Sequence, residues 1–110
     1  MSRCYIAYLP NAGFDENHVV VKIGFSSNPY GRFLELCAMS WIGPQSMEAT
    51  TENTAAKGSD IEQFMHTLLR AHRVHHEWFH VPYADLAAAK QAVWDRFGEA
   101  FTPEGLSDAA

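Results

Sequence analysis

The sequence predicts an α+β domain built on a small antiparallel sheet, with elements in the order β-β-α-β-α-β-α. Three observations carry that prediction. Arg3–Leu9 and His18–Phe25 are rich in β-branched and aromatic residues and flank the turn-forming segment PNAGFDEN, so they read as an antiparallel hairpin with a long loop. Ile61, Phe64, Met65, Leu68 and Leu69 recur at helical spacing and form one apolar stripe. Leu86, Ala89, Val93 and Phe97 do the same within Tyr83–Phe97, the last helix.

The elements between these anchors follow from local signals. In Ser26-Ser27-Asn28-Pro29, Asn28 can cap a helix and Pro29 suits its first position. That helix runs to about Met39, with Tyr30, Phe33 or Leu34, Cys37 and Trp41 spaced for one buried face, and Gly43-Pro44 ends it. Met47–Thr51 is a short third strand. Ser59-Asp60-Ile61-Glu62 matches a capping box at the start of the next helix. Glu62, His66, Arg70 and Arg73 share the polar side of that helix. Glu77–Val81 is a short strand or extended segment. Residues 1–101 form a single domain, and 102–110 are expected to be a flexible C-terminal tail.

Composition narrows the function classes. With 110 residues there is room for one domain, and three Trp, four Tyr and seven Phe exclude a disordered chain. No apolar run approaches the ~18 residues a membrane span needs, and the N-terminus lacks a signal-peptide pattern. Cys4 and Cys37 lie in apolar stretches, so buried thiols in a reducing cytoplasm are expected. The formal charge of −5 argues against a broad basic face for duplex nucleic acid. The acidity is concentrated from Tyr83 onward, so a polyanion site should be local and lie before that residue.

Four groups of residues carry possible chemistry. Lys22 sits in the middle of an apolar strand. The bland reading is a lysine snorkelling to solvent, and the sharper one is a cation beside Tyr5 that lets the phenol act as a general base. Arg32, one turn into its helix, is either an exposed partner of Glu35 or a phosphate clamp, because its guanidinium fork matches phosphate oxygens. Glu62 either completes the capping box or holds Mg²⁺ or Mn²⁺ as a single carboxylate, with His66 one turn later positioning a metal-bound water. His66, His72, His75, His76 and His80, with Glu77, invite a zinc reading, but no Cys accompanies them and their spacing matches no structural zinc pattern.

In their order along the chain these residues resemble the GIY-YIG endonuclease superfamily, and in particular the branch of a phage open reading frame and a meiotically up-regulated yeast gene product. Arg3-Cys4-Tyr5 stands where the first motif ends. Lys22-Ile23-Gly24 stands at the second, with Lys22 in place of its first tyrosine. Asn28-Pro29-x-x-Arg32 resembles the arginine helix, and Glu62-x-x-x-His66 with Glu77-Trp78-Phe79 resembles the distal signature. The resemblance implies a three-stranded antiparallel sheet flanked by helices and a DNA endonuclease using one divalent ion, Mg²⁺ or Mn²⁺. Glu62 would hold the metal, Arg32 would bind the scissile phosphate, and Tyr5, assisted by Lys22, would activate or orient the attacking water. The acidic balance adds the expectation of a protein partner or a second copy of the chain. Two competing readings stay open: a catalytically inactive module of the same fold that binds nucleic acid or protein, and a zinc-binding adaptor.

Overall fold

The computed structural model describes residues 2–9, 16–39, 43–51 and 57–104. Side-chain alternation along the first two strands decides the layering. In β1 (Arg3–Tyr8), Cys4 and Ile6 point into one core while Tyr5 and Ala7 point into another on the opposite face. β2 (His18–Ser26) pairs with it antiparallel, so that Tyr5 lies opposite Gly24 and Ala7 opposite Lys22. Val19, Val21 and Ile23 therefore join Cys4 and Ile6 in the larger core.

α1 (Pro29–Met39) follows β2. Asn28 caps it, accepting from the Gly31 N–H at 3.1 Å. Its buried residues are Pro29 and Leu36, with Phe33 packed beside them. The expected stripe is thus rotated: Tyr30 and Leu34 are exposed, Cys37 is exposed rather than buried, and Trp41 lies outside the described residues. Cys4 is buried as expected. β3 (Ser46–Ala49) pairs with the free edge of β1, and Met47 and Ala49 complete the smaller core under α1.

α2 (Gly58–Leu69) and α3 (Tyr83–Phe97) cover the larger core. Ile61, Met65 and Leu69 are buried as the periodicity requires, whereas Leu68 is 47% exposed. The expected capping box does not form. α2 begins at Gly58 with Lys57 as N-cap and no side-chain cap, so Ser59 is already inside the helix. Close packing sets that start, because a methyl group on Gly58 would sit 2.6 Å from the Arg3 carbonyl carbon and 2.8 Å from the Cys4 nitrogen. The polar side of α2 is shorter than expected, since Arg70 belongs to a 3₁₀ turn (Arg70–His72) and Arg73 to β4 (Arg73–His75).

β5 (Trp78–Pro82) pairs antiparallel with β2 and with β4, and β6 (Thr102–Pro103) pairs with β3. The sheet therefore has six strands in the order β4-β5-β2-β1-β3-β6, not three. The central β2-β1-β3 unit is extended on one side by the β4–β5 ribbon and on the other by β6, and the α+β class holds. Residues 102–104 are not a tail. Besides the β6 pairing, Glu104 makes a two-pronged ion pair with Arg3 at 3.0 and 2.9 Å, and Arg3 Nε donates to the Thr50 carbonyl. Residues 105–110 and most of the expected long hairpin loop (10–15) lie outside the described residues. No helix among the described residues is long and apolar enough to cross a membrane.

The Gly58 contact yields a test. Gly58→Ala should destabilise the domain by about 1–3 kcal/mol, because backbone rather than a flexible side chain must move aside. Chemical denaturation followed by circular dichroism measures it, and an unchanged midpoint would show that α2 is free to shift on β1.

Candidate active site

On the α1 face of the sheet, Tyr5 is 2% exposed, and its hydroxyl reaches across the sheet to β2. A methyl group on Gly24 would lie 2.6 Å from that oxygen, so the glycine opposite Tyr5 leaves the space its phenol tip occupies. Arg32 comes from the second turn of α1, placed by the Asn28 cap. A side-chain hydrogen bond with Tyr5 is the main influence raising the Arg32 guanidinium above its ordinary range; partial burial opposes it, and Glu35 at 3.2 Å adds to it. Arg32 therefore pairs with Glu35, as the first of its two sequence readings expects, and also faces the tyrosine.

Lys22 does not snorkel to solvent. It is 7% exposed and forms an ion pair with Glu77, the last residue before β5. Its ammonium lies over the Tyr5 ring, 5.8 Å from the ring centre. The expected neighbourhood of Lys22 and Tyr5 is present, and Arg32 joins it as a second cation beside the tyrosine. In the sequence Glu77 figures in the histidine cluster and in the distal motif, not as a partner of Lys22. The signal for its role was the lysine itself, because a strand-interior ammonium is costly to bury without an acid partner. Glu77 is held in reach by backbone as well, its carbonyl accepting from the Ile23 N–H at 2.9 Å.

Glu62 projects from the second turn of α2. Burial pushes its carboxyl up from the ordinary range; the Glu77 charge adds to this, and His66 and Lys22 oppose it. Burial likewise pushes the Cys4 thiol up, and the Glu62 charge contributes, which places that carboxylate beside the start of β1 as well. His66 Nε2 lies 2.8 Å from the Ile23 carbonyl oxygen and 3.9 Å from Glu62 Oε1. A carbonyl can only accept, so the Nε2 proton is assigned to that bond. His66 therefore ties α2 to β2 next to Glu62, and its ring edge packs on Phe79 at 4.9 Å.

Contacts and charge–charge influences link Arg32, Tyr5, Lys22, Glu77, Glu62 and His66 at the end of the sheet where β2 outruns β5. Residues separated by up to 72 positions thus share one locality. No hydrogen bond from a described residue reaches the Glu62 carboxylate, His66 lying 3.9 Å away, and a partly desolvated oxygen donor of this kind suits a hard divalent cation. The zinc reading fares differently. Among the described residues no group of three or more His, Cys, Asp or Glu side chains is placed to hold a metal. His72 instead pairs with Asp85 at 2.9 Å, while the His75 ring meets His76 edge-on and the His18 ring lies tilted against His80.

The profile of the T5orf172 domain matches residues 4–94 of the chain. No curated protein and no solved structure matches it.

Two tests follow from the electrostatics. Glu77→Ala leaves Lys22 buried without its partner, whereas Lys22→Met leaves behind a carboxylate that is already 37% exposed. The first substitution should therefore cost more stability, by about 1–3 kcal/mol, in urea denaturation; equal costs would show that the pair does not hold the site. For Glu62, a carboxyl held above its ordinary range makes ionisation unfavourable to the fold. That penalty is absent below about pH 4.3 and is present once pH exceeds the raised value. Glu62→Gln should accordingly melt higher than wild type at pH 7.5 without metal, with the difference vanishing near pH 4. A difference independent of pH would refute the assignment.

Proposed function

Since the chain belongs to the T5orf172 domain family, part of the GIY-YIG-like phage open-reading-frame and endonuclease group, we propose that it is a divalent-metal-dependent DNA endonuclease. The family by itself suggests a nuclease-like or nucleic-acid-binding module that interacts with DNA. The observation that supports the finer reading is the gathering of Arg32, Tyr5, Lys22 and Glu62 at one end of the sheet, each with a charge state or partner suited to phosphodiester hydrolysis.

Arg32 binds the scissile phosphate. Its side chain is 31% exposed, and its fork keeps N–H groups for phosphate oxygens while one edge engages Tyr5. The same charge offsets the negative charge that develops on those oxygens as the bond to the leaving group breaks. Tyr5 orients the attacking water, its hydroxyl fixed between Arg32 and the Gly24 backbone. Lys22, locked by Glu77, holds positive charge over the Tyr5 ring and keeps the phenol in place. Glu62 would hold one Mg²⁺ or Mn²⁺ through its carboxylate. When bound, that ion supplies Lewis-acid polarisation of a phosphoryl oxygen. His66 keeps Glu62's helix registered on β2.

The test is conversion of supercoiled plasmid to nicked or linear form with Mg²⁺ or Mn²⁺. Glu62→Ala and Arg32→Ala should each lower the rate by about 100-fold or more while melting cooperatively. Cleavage undiminished in both variants would mean that another protein did the cutting. A folded wild type that never cuts with either metal would leave a binding module.

A further inference from the structure

The densest basic stretch of this acidic chain lies outside the site just described. Arg70 to His76 reads Arg-Ala-His-Arg-Val-His-His, two arginines and three histidines without one acid. It forms the 3₁₀ turn and β4, the strand at the end of the sheet, and every residue of β4 is exposed. Val74 there is 64% exposed, so β4 is not shaped by a core. The acids that flank the stretch are occupied, Asp85 by His72 and Glu77 by Lys22.

The turn leaving β4 is also prearranged. His76 has φ of +51° in the left-handed region that most side chains avoid. Arg73 Nε donates to the His76 carbonyl at 2.6 Å, and the His75 and His76 rings meet at 3.9 Å. Strained backbone of this kind persists where surrounding contacts enforce it, and it gathers at functional surfaces. Here the contact stiffens Arg73 and leaves the rest of its guanidinium for a ligand. The next residue is Glu77, whose partner Lys22 lies over the Tyr5 ring, so the ribbon runs directly into the candidate active site.

We propose that the β4 ribbon, through Arg70, Arg73, His75 and His76, is the surface that grips the DNA backbone beside the site; this rests on the endonuclease reading for the identity of the partner. Arginine forks and imidazole N–H groups are phosphate donors, and such contacts position a duplex without reading its sequence. The ribbon thereby supplies the local polyanion surface that the overall charge of −5 denies to the rest of the chain.

The test is fluorescence anisotropy of a labelled DNA duplex with the full chain in EDTA, so that binding is measured apart from cleavage, across about 50 to 200 mM salt. R70Q/R73Q should weaken binding roughly tenfold and flatten the salt slope by about 2, and R70K/R73K should restore most of the affinity. Should R70Q/R73Q not fold, R70Q alone should flatten the slope by about 1. The matched control is K57Q/R96Q, which removes two charges from α2 and α3 and should bind like wild type. Unchanged binding in R70Q/R73Q, an equal loss in the control, or no duplex binding by wild type would each overturn the proposal. Weakened binding in R70Q/R73Q, from a wild type that never cuts plasmid, would keep this surface and remove the endonuclease reading.

Discussion

The register of β1 against β2 is the constraint on which the remaining structure depends. A one-residue slip would turn Cys4 and Ile6 toward α1 and bring Tyr5 and Ala7 under α2 and α3, exchanging the contents of the two cores. It would also remove Gly24 from its place opposite Tyr5 and Lys22 from its place opposite Ala7. The same pairing thus fills the interior and aims the polar groups, and no part of the candidate site can be moved independently of the core.

Charge is distributed so that most acids are already answered within the fold. Glu104 is held by Arg3, and Glu48 by Lys90 and the Tyr8 hydroxyl. Glu99 is 3% exposed and accepts from the Thr51 hydroxyl at 2.8 Å. Glu62 differs, with burial raising its carboxyl and no hydrogen bond from a described residue to compensate. A carboxylate kept in that condition is a cost to folding, and a bound cation would relieve it. The net charge of the chain is therefore a poor guide to its local fields, which turn on which acids remain uncompensated and which bases remain exposed.

Legibility in the sequence followed burial. α3 was readable to the residue because its apolar spacing is regular and its boundaries carry their own signals, Pro82 before it and the left-handed Gly98 after it. The α1 face was misjudged because the buried stripe runs through Pro29, Phe33 and Leu36, rotated from the expected one, so Tyr30 and Leu34 face outward. The capping-box pattern at Ser59 was overruled by the packing of Gly58 on β1, which started the helix earlier. β4 and β6 left little trace because strands of two or three exposed residues have no hydrophobic alternation to read.

By itself the sequence determined the α+β class, the central hairpin, the three helices and the identity of Tyr5, Lys22, Arg32, Glu62 and His66 as the residues to watch. Those are properties of local pattern: alternation, helical spacing, a lysine where an apolar residue was due, and the order of short motifs along the chain. Only tertiary structure decided which charge meets which. Arg32 and Lys22 both meet Tyr5, Lys22 is claimed by Glu77, and Glu62 has His66 at 3.9 Å. Partner choice among charged side chains depends on distance and desolvation in three dimensions, and neither is encoded in spacing along the chain.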